Sequence, residues 1–467
     1  MFEAIDAQDE YDEEKLKQKL RDPALVKQLP VYKVYLFNLI LKALNQYSAY
    51  DNTESQLNDM LSGIRILTSK HLYPEALKII RKAKTLAYKF DKHKFIMELL
   101  AAERHILMLR PVKDMLNKRN EIYGLQLDLV ERIKEFYTQN MFSDRMTIMV
   151  DNQADFRKNE QELEKIISDP AFGSKTTIRG YFAMMNHFHT LLVYSGAKGN
   201  NEQILNQLKE QIEFEESHSQ FINENPQNYI YLLINYLLYS HYARDAKKIS
   251  DAKSKLEVIK KKIKGRLPRE TEIQILFHAS NVEMIIYEKS CDILSGRNKI
   301  KQIEQDLKTY GNDVPANVKA LMYINISCFS IIDDNFDIAL KYINKVLNSP
   351  ELTERKDVMQ IAKMLELLVH YELNNFDLIE YLLKPAVKFF RSEGKNSTVS
   401  KILLKFFAEV ITLNKDDHKE SFMELVYKLK KVKDPDVLMG FFDFISWAEA
   451  HSDNTGLISV LRNKNLK

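Results

Sequence analysis

The sequence predicts an all-α protein, an α-solenoid of stacked antiparallel helical hairpins. Three observations carry that expectation. Gly (12) and Pro (11) are scarce in 467 residues, whereas all-β folds need many turns and doubly wound folds need glycine-rich corners. Apolar residues recur three and four apart, as in Ile249, Ala252, Leu256, Ile259 and Ile263, which is the stripe of an amphipathic helix. A corner returns at an offset of forty: "DDNFD" at Asp333–Asp337, "LNNFD" at Leu373–Asp377 and "LNKDD" at Leu413–Asp417. Fixed periods of this size mark hairpins that cannot bury their apolar faces alone.

In chain order, residues 1–50 read as N-terminal helices leading into the array and residues 51–270 as an irregular helical-repeat region. Residues 271–467 read as more regular hairpins of period near 40, ending in C-terminal capping helices. Pro30, Pro74, Pro111, Pro170, Pro226, Pro268, Pro315, Pro350 and Pro435 stand beside polar or turn-like residues, and apolar-periodic stretches follow most of them. Proline suits a first helical turn, where its missing N–H would have had no partner. The stretch "YIYLLINYLLY", Tyr229–Tyr239, is too short to span a bilayer and reads as a helix buried on most sides. Tyr229, Tyr236 and Tyr239 share one of its faces and are expected in packing.

After the repeated corners the expected core positions are Ala339, Ile343 and Val346, then Ile379, Leu383 and Ala386. The third unit offers Met423 and Val426, with Lys419 at the first position. Asn and Asp at the corner cap the next helix and tolerate tight turns. The lone tryptophan, Trp447 in "FFDFISWAEA", is expected to close the C-terminal end of the core.

Phe336-x-x-Ala339-x-x-x-Ile343-x-x-Val346 resembles the second helix of a tetratricopeptide repeat. Tyr73-x-x-Ala76-x-x-x-Ile80-x-x-Ala83 resembles it more closely. In the first helix Tyr323 and Ile326 fit that family, and Ser327 stands where it usually has glycine. The interval of forty exceeds the family's thirty-four and implies longer helices or loops. Armadillo- or HEAT-type pairs are the alternative, without this small-residue corner. "EAIDAQDEYDEEKL" and "LYPEALKIIRKAKTLAYKF" also make the whole chain similar to bacterial helical-repeat proteins of unknown function. That resemblance implies no activity, and it leaves open a natural chain starting upstream of Met1.

Hydrophobic content of 45% with 28% charged residues is that of a well-cored protein, and a net charge of +3 names no partner for the molecule as a whole. Two cysteines, Cys291 and Cys328, are too few for a disulfide framework or a thiolate metal cage. With an acidic N-terminus that does not read as a secretory signal, they suggest a cytoplasmic setting.

Catalytic motifs are weak, and no cofactor or metal is expected. "GSKTT", Gly173–Thr177, lacks the glycine spacing of a phosphate loop, so Ser174 is read as capping a helix from Lys175. In "HFH", His187 and His189 point differently on a helix, one packed and one more exposed. Glu215 and His218 have Glu-x-x-His spacing without a second copy and are read as a solvated helix face. Glu366 and His370 stand one turn apart without a further ligand pair.

The most uneven segment is Arg244–Arg269, whose eleven basic and three acidic residues give 11 − 3 = +8. It reads either as the solvated face of an amphipathic helix or as an electrostatic patch for a phosphate backbone or an acidic partner. The candidate partner-binding residues are Tyr231, Lys253, Lys255, Lys260, Lys261, Lys262, Lys264 and Arg266. The expected function is a non-catalytic scaffold holding a protein or peptide, acidic in character, along a concave face, with no membrane partner. A nucleic-acid-associated protein using residues 244–269 is the alternative, and an unrecognised enzyme the third.

Overall fold

The computed structural model describes the chain apart from residues 9–10, 21–22, 49–52, 111–113, 152–155, 264–266, 312, 351–355, 393–396, 415–416, 433–436 and 467. The described residues form twenty-five helices and no strand, so the chain is all-helical. No helix among them is long and apolar enough to cross a membrane. The chain divides into two compact units, Met1–Ile133 and Lys134–Lys467.

The first unit contains α1 (Phe2–Asp6), α2 (Glu13–Lys19), α3 (Pro23–Lys27), α4 (Leu29–Ser48), α5 (Thr53–Ser69), α6 (Tyr73–Lys89) and α7 (His93–Leu109). It also holds the first part of α8 (Met115–Asp151), inside which the division falls. Its core joins Leu57, Leu61 and Ile64 of α5 to Ala76, Ile80 and Ala83 of α6 and to Leu99 and Leu100 of α7. Ala76, Ile80 and Ala83 are fully buried. Their small–large–small order lets α6 approach α5 closely.

The second unit continues with α9 (Phe156–Ser168), α10 (Tyr181–Ala197), α11 (Asn201–Ser217), α12 (Ser219–Glu224), α13 (Pro226–Tyr242), α14 (Ala246–Ile263) and α15 (Arg269–Ser290). Then come α16 (Ile293–Tyr310), α17 (Ala316–Ile332), α18 (Phe336–Leu347), α19 (Lys356–Glu372), α20 (Phe376–Ser392), α21 (Thr398–Val410) and α22 (His418–Lys430). The chain ends with α23 (Val437–Phe441), α24 (Phe444–Ser452) and α25 (Leu457–Leu466). Many consecutive helices pack on each other, among them α10 on α11, α13 on α14, α15 on α16, α17 on α18 and α19 on α20, and α13, α15, α17 and α19 also touch one another in turn.

One backbone device joins most hairpins. At Gly199, Arg244, Cys291, Asp334, Asn374 and Asn454 the chain enters the left-handed region, with φ from 52° to 65°. Around Asp334, its own N–H donates to Ile331 O and the following Asn335 N–H to Ser330 O at 2.8 Å, closing the helix on itself. Around Arg244, Asp245 N–H reaches Ser240 O, and around Cys291, Asp292 N–H reaches Tyr287 O. This is a Schellman ending. The next residue often caps the following helix: Asn200, Asp245, Asp292 and Asn335 accept from backbone N–H groups three residues on. The first five corners stand 45, 47, 43 and 40 residues apart, and the sixth is 80 beyond the fifth. His71 and Asp91 adopt the same turn in the first unit.

The expected core positions Ala339, Ile343 and Val346, and Ile379, Leu383 and Ala386, are buried. The third unit departs from the forty-residue register. Met423 is 57% exposed, and α22 buries Phe422, Leu425 and Leu429 instead, one residue out of step. Ser327 lies where α17 crosses α18, its hydroxyl donating to Tyr323 O at 2.7 Å and to Ala339 O at 3.3 Å.

The largest apolar core runs from α17 to α25 and includes Trp447, which is buried. Short α23 packs on α17, α19 and α21, and α25 packs on α24 and α15. This covering explains why α17 and α19 are buried on nearly every side. At the far end, Arg462 donates to Cys291 O at 3.4 Å and Arg244 to Lys464 O at 3.5 Å.

Candidate functional site

The predicted partner-binding residues within the described part of the chain lie on α13 and α14. Tyr231 on α13 is half-buried, edge-on to His278 of α15 with ring centroids 5.0 Å apart. Lys255 on α14 pairs instead with Glu216 of α11, and Lys262 donates to Asn223 of α12. Burial works against ionised Glu216, yet Lys255 and the Tyr229 hydroxyl hold its carboxyl below the ordinary range. Lys260 stands 4.0 Å from Glu257, while Lys253 and Lys261 are exposed. Lys264 and Arg266 lie outside the described residues. Along α14, Ala252, Leu256 and Ile259 face the core and Ile249 and Ile263 are half-buried, so its lysines occupy the solvated side.

Two motifs differ from their sequence reading. Ser174 does not cap a helix from Lys175: residues 174–178 form a turn in which Ser174 O accepts from Thr177 N at 2.9 Å, and α10 begins only at Tyr181. The following Ile178-Arg179-Gly180 leads into α10 with Gly180 as its N-cap. Glu215 is not on a solvated face. It is 1% exposed, Tyr181 donates to its Oε2 at 3.0 Å, and its Oε1 has no hydrogen-bond partner. Burial raises its carboxyl above the ordinary range. Four Tyr181 ring neighbours, among them Phe221 stacked at 3.6 Å, keep water from this carboxyl.

His187 is buried and stacked on Phe172 at 4.2 Å, while His189 is exposed and bonded to Ser143 Oγ at 2.8 Å. Burial, with help from Lys175, pushes His187 down to about 4. Among the described residues no group of three His, Cys, Asp or Glu side chains could hold a metal ion.

One cavity was not anticipated. It is an open groove of about 450 Å³ in the first unit, between the C-terminal halves of α5 and α7 at the His71 corner. Ile64, Ala102 and Leu109 give it an apolar floor, and Arg65, His71 and His105 bring basic side chains to it without a carboxylate among the lining residues. Thr68 and Ser69 donate their hydroxyls to Ile64 O and Ile66 O, which leaves oxygen lone pairs for the groove. His71 Nδ1 meets the Tyr73 hydroxyl at 2.8 Å. Arg65 reaches Glu98 at 3.3 Å, an exposed contact of little strength.

The surrounding sequence is nearly as basic as the α14 segment. Between Ile64 and Arg110 there are eleven Lys or Arg and four Asp or Glu, 11 − 4 = +7. These charges are spread over three helices, so no run draws attention to them.

A second cavity, of about 100 Å³, lies under α25 and is lined by Glu288, Lys289, Asp443 and Lys464 among others. Lys464 Nζ is 2.6 Å from Ser446 Oγ and 3.0 Å from Glu449. These contacts tie α25 to α24. Comparison of the chain with protein-family models, curated proteins and solved structures returned no match.

Proposed function

We propose that this protein is a non-catalytic scaffold built as an α-solenoid of tetratricopeptide-like hairpins, and that it holds an acidic peptide segment. The groove between α5 and α7 carries this reading. Its volume lies within the range of ordinary ligand sites. An apolar floor beneath Arg65, His71 and His105 suits a segment that alternates aliphatic and acidic side chains, and the +7 of the surrounding helices steers such a segment inward. The recurring Schellman corners and the serial contacts of α13, α15, α17 and α19 support the solenoid. The face of α17, α19 and α21 is occupied by α23, which favours the first unit as the seat.

The test is fluorescence polarisation with labelled peptides of alternating Leu and Glu, against neutral and basic peptides of equal length. Acidic peptide binding should weaken with salt, and Arg65→Glu with His105→Glu should weaken it roughly tenfold or more. Equal binding of the neutral peptide, or no effect of that pair, would sink the reading. An oligonucleotide bound instead, and lost on changing Lys260, Lys261 and Lys262 to Glu, would favour the nucleic-acid alternative.

A further inference from the structure

Helix α4 has an unusual surface. Val31, Tyr32, Val34, Tyr35, Phe37, Leu39 and Leu41 are all exposed, with Val34 at 62%, Tyr35 at 65% and Phe37 at 60%. At about 100° per residue these side chains sweep roughly two-thirds of the helix circumference. The remaining strip, Lys33, Leu36 and Ile40, is half-buried. Contacts at its beginning hold it in place: Leu16 and Leu29 are buried, Lys33 pairs with Glu13, and its ammonium lies 4.8 Å over the Tyr11 ring.

The strip that one partner helix can cover, Val31, Val34, Phe37 and Leu41, exposes roughly 400 Å², about half of one partner's share of a standard protein interface, and the seven side chains together amount to about 700 Å². That exceeds the apolar patch most monomers tolerate. Within the exposed arc of residues 31–43 the polar groups are Asn38, Lys42 and the hydroxyls of Tyr32 and Tyr35, and there is no acid. A charged partner therefore has little to read there. The surface is complementary to another of its own kind, a helix presenting Val, Leu and aromatic ridges.

We propose that α4 pairs with α4 of a second copy of this chain across a two-fold axis near Val34, the centre of the strip formed by Val31, Val34, Phe37 and Leu41. An isologous contact uses the same strip twice, so this one patch supplies both halves of the interface. The pairing is independent of the peptide groove, whose lining begins at Ile64.

Light scattering on the full chain, over a wide range of concentration, tests the pairing. The wild type should be dimeric at high concentration, and Val34→Glu with Phe37→Glu should weaken the dimer roughly a hundredfold or more, because unpaired charges would be desolvated. Both positions are exposed, so helical circular dichroism should not change. Val34→Cys with a short bis-maleimide should give a crosslinked dimer on a clean background, since Cys291 and Cys328 are buried. A wild type that stays monomeric overturns the pairing, whether α4 is then covered by the same chain or inserts into lipid vesicles. A dimer that survives the double substitution, or a Val34→Cys protein that does not crosslink, overturns it equally.

Discussion

Gly296→Ala should destabilise the second unit, although glycine-to-alanine in a helix ordinarily does the opposite. Gly296 lies inside α16, where alanine is better by about 1 kcal/mol on propensity alone. A Cβ at this position would stand 2.1 Å from Phe329 Cζ and 2.2 Å from Cε2. Carbon atoms in contact prefer about 3.5–4.0 Å, so ring or helix must move by roughly 1.5 Å. Phe329 is fully buried among Ile300, Ile303, Met322 and Ile326 and has no free space to enter. Overpacking of this kind costs about 1–3 kcal/mol, and a clash this deep belongs at the upper end, leaving a net loss of roughly 1–2 kcal/mol. Gly196→Ala is the matched control: it is helical, in the same unit, and its Cβ would meet no atom within 4 Å. It should gain up to about 1 kcal/mol. Urea unfolding followed by fluorescence reads both, because Trp447 is the only tryptophan and lies in the second unit's core. Phe329→Leu should recover part of the loss in the Gly296→Ala background. A Gly296→Ala protein as stable as the wild type would refute the packing argument.

Two further outcomes follow from buried polar groups. Glu372 accepts from Trp447 Nε1 and meets His451 Nε2 at 2.7 Å. Glu372→Leu strands a buried indole N–H and should cost about 1–3 kcal/mol in urea unfolding, while Glu372→Gln should cost less. Equal losses for the two would show that shape, not hydrogen bonding, matters there. Glu215 has its carboxyl raised by burial, so the folded state binds a proton more readily than the unfolded one. Its contribution is intact in acid and is lost as pH rises through the folded value. Glu215→Gln should therefore match the wild type below the ordinary carboxylate range and become the more stable protein toward neutrality. A difference that does not change with pH would contradict this.

The helical class was legible because it rests on quantities every residue contributes to, namely three- and four-residue spacing and the scarcity of Gly and Pro. The corners at Asp334 and Asn374 were legible through their Asn-Phe-Asp signature. Those at Arg244 and Cys291 were not, because a Schellman ending is made by backbone hydrogen bonds and accepts an arginine or a cysteine at its left-handed residue. The Asp that follows each was the available signal. Met423 was misplaced because a fixed offset ignores one residue of slippage at a loop. The groove at His71 escaped notice because its basic residues come from α5, from the corner and from α7, each unremarkable in sequence. Glu215 looked solvated because spacing alone does not say which face of α11 meets Tyr181.

Most contacts in the second unit join near neighbours along the chain, and so can form while later residues are still being synthesised. The seam between α25 and α15 is different. Cys291 and Arg244 meet Arg462 and Lys464, partners 171 and 220 residues away. α25 is synthesised after every other element of that seam, so the polar pocket around Glu288 stays open to water until α25 has left the ribosome. A nascent chain stalled just short of α25 would present that unfinished edge to chaperones.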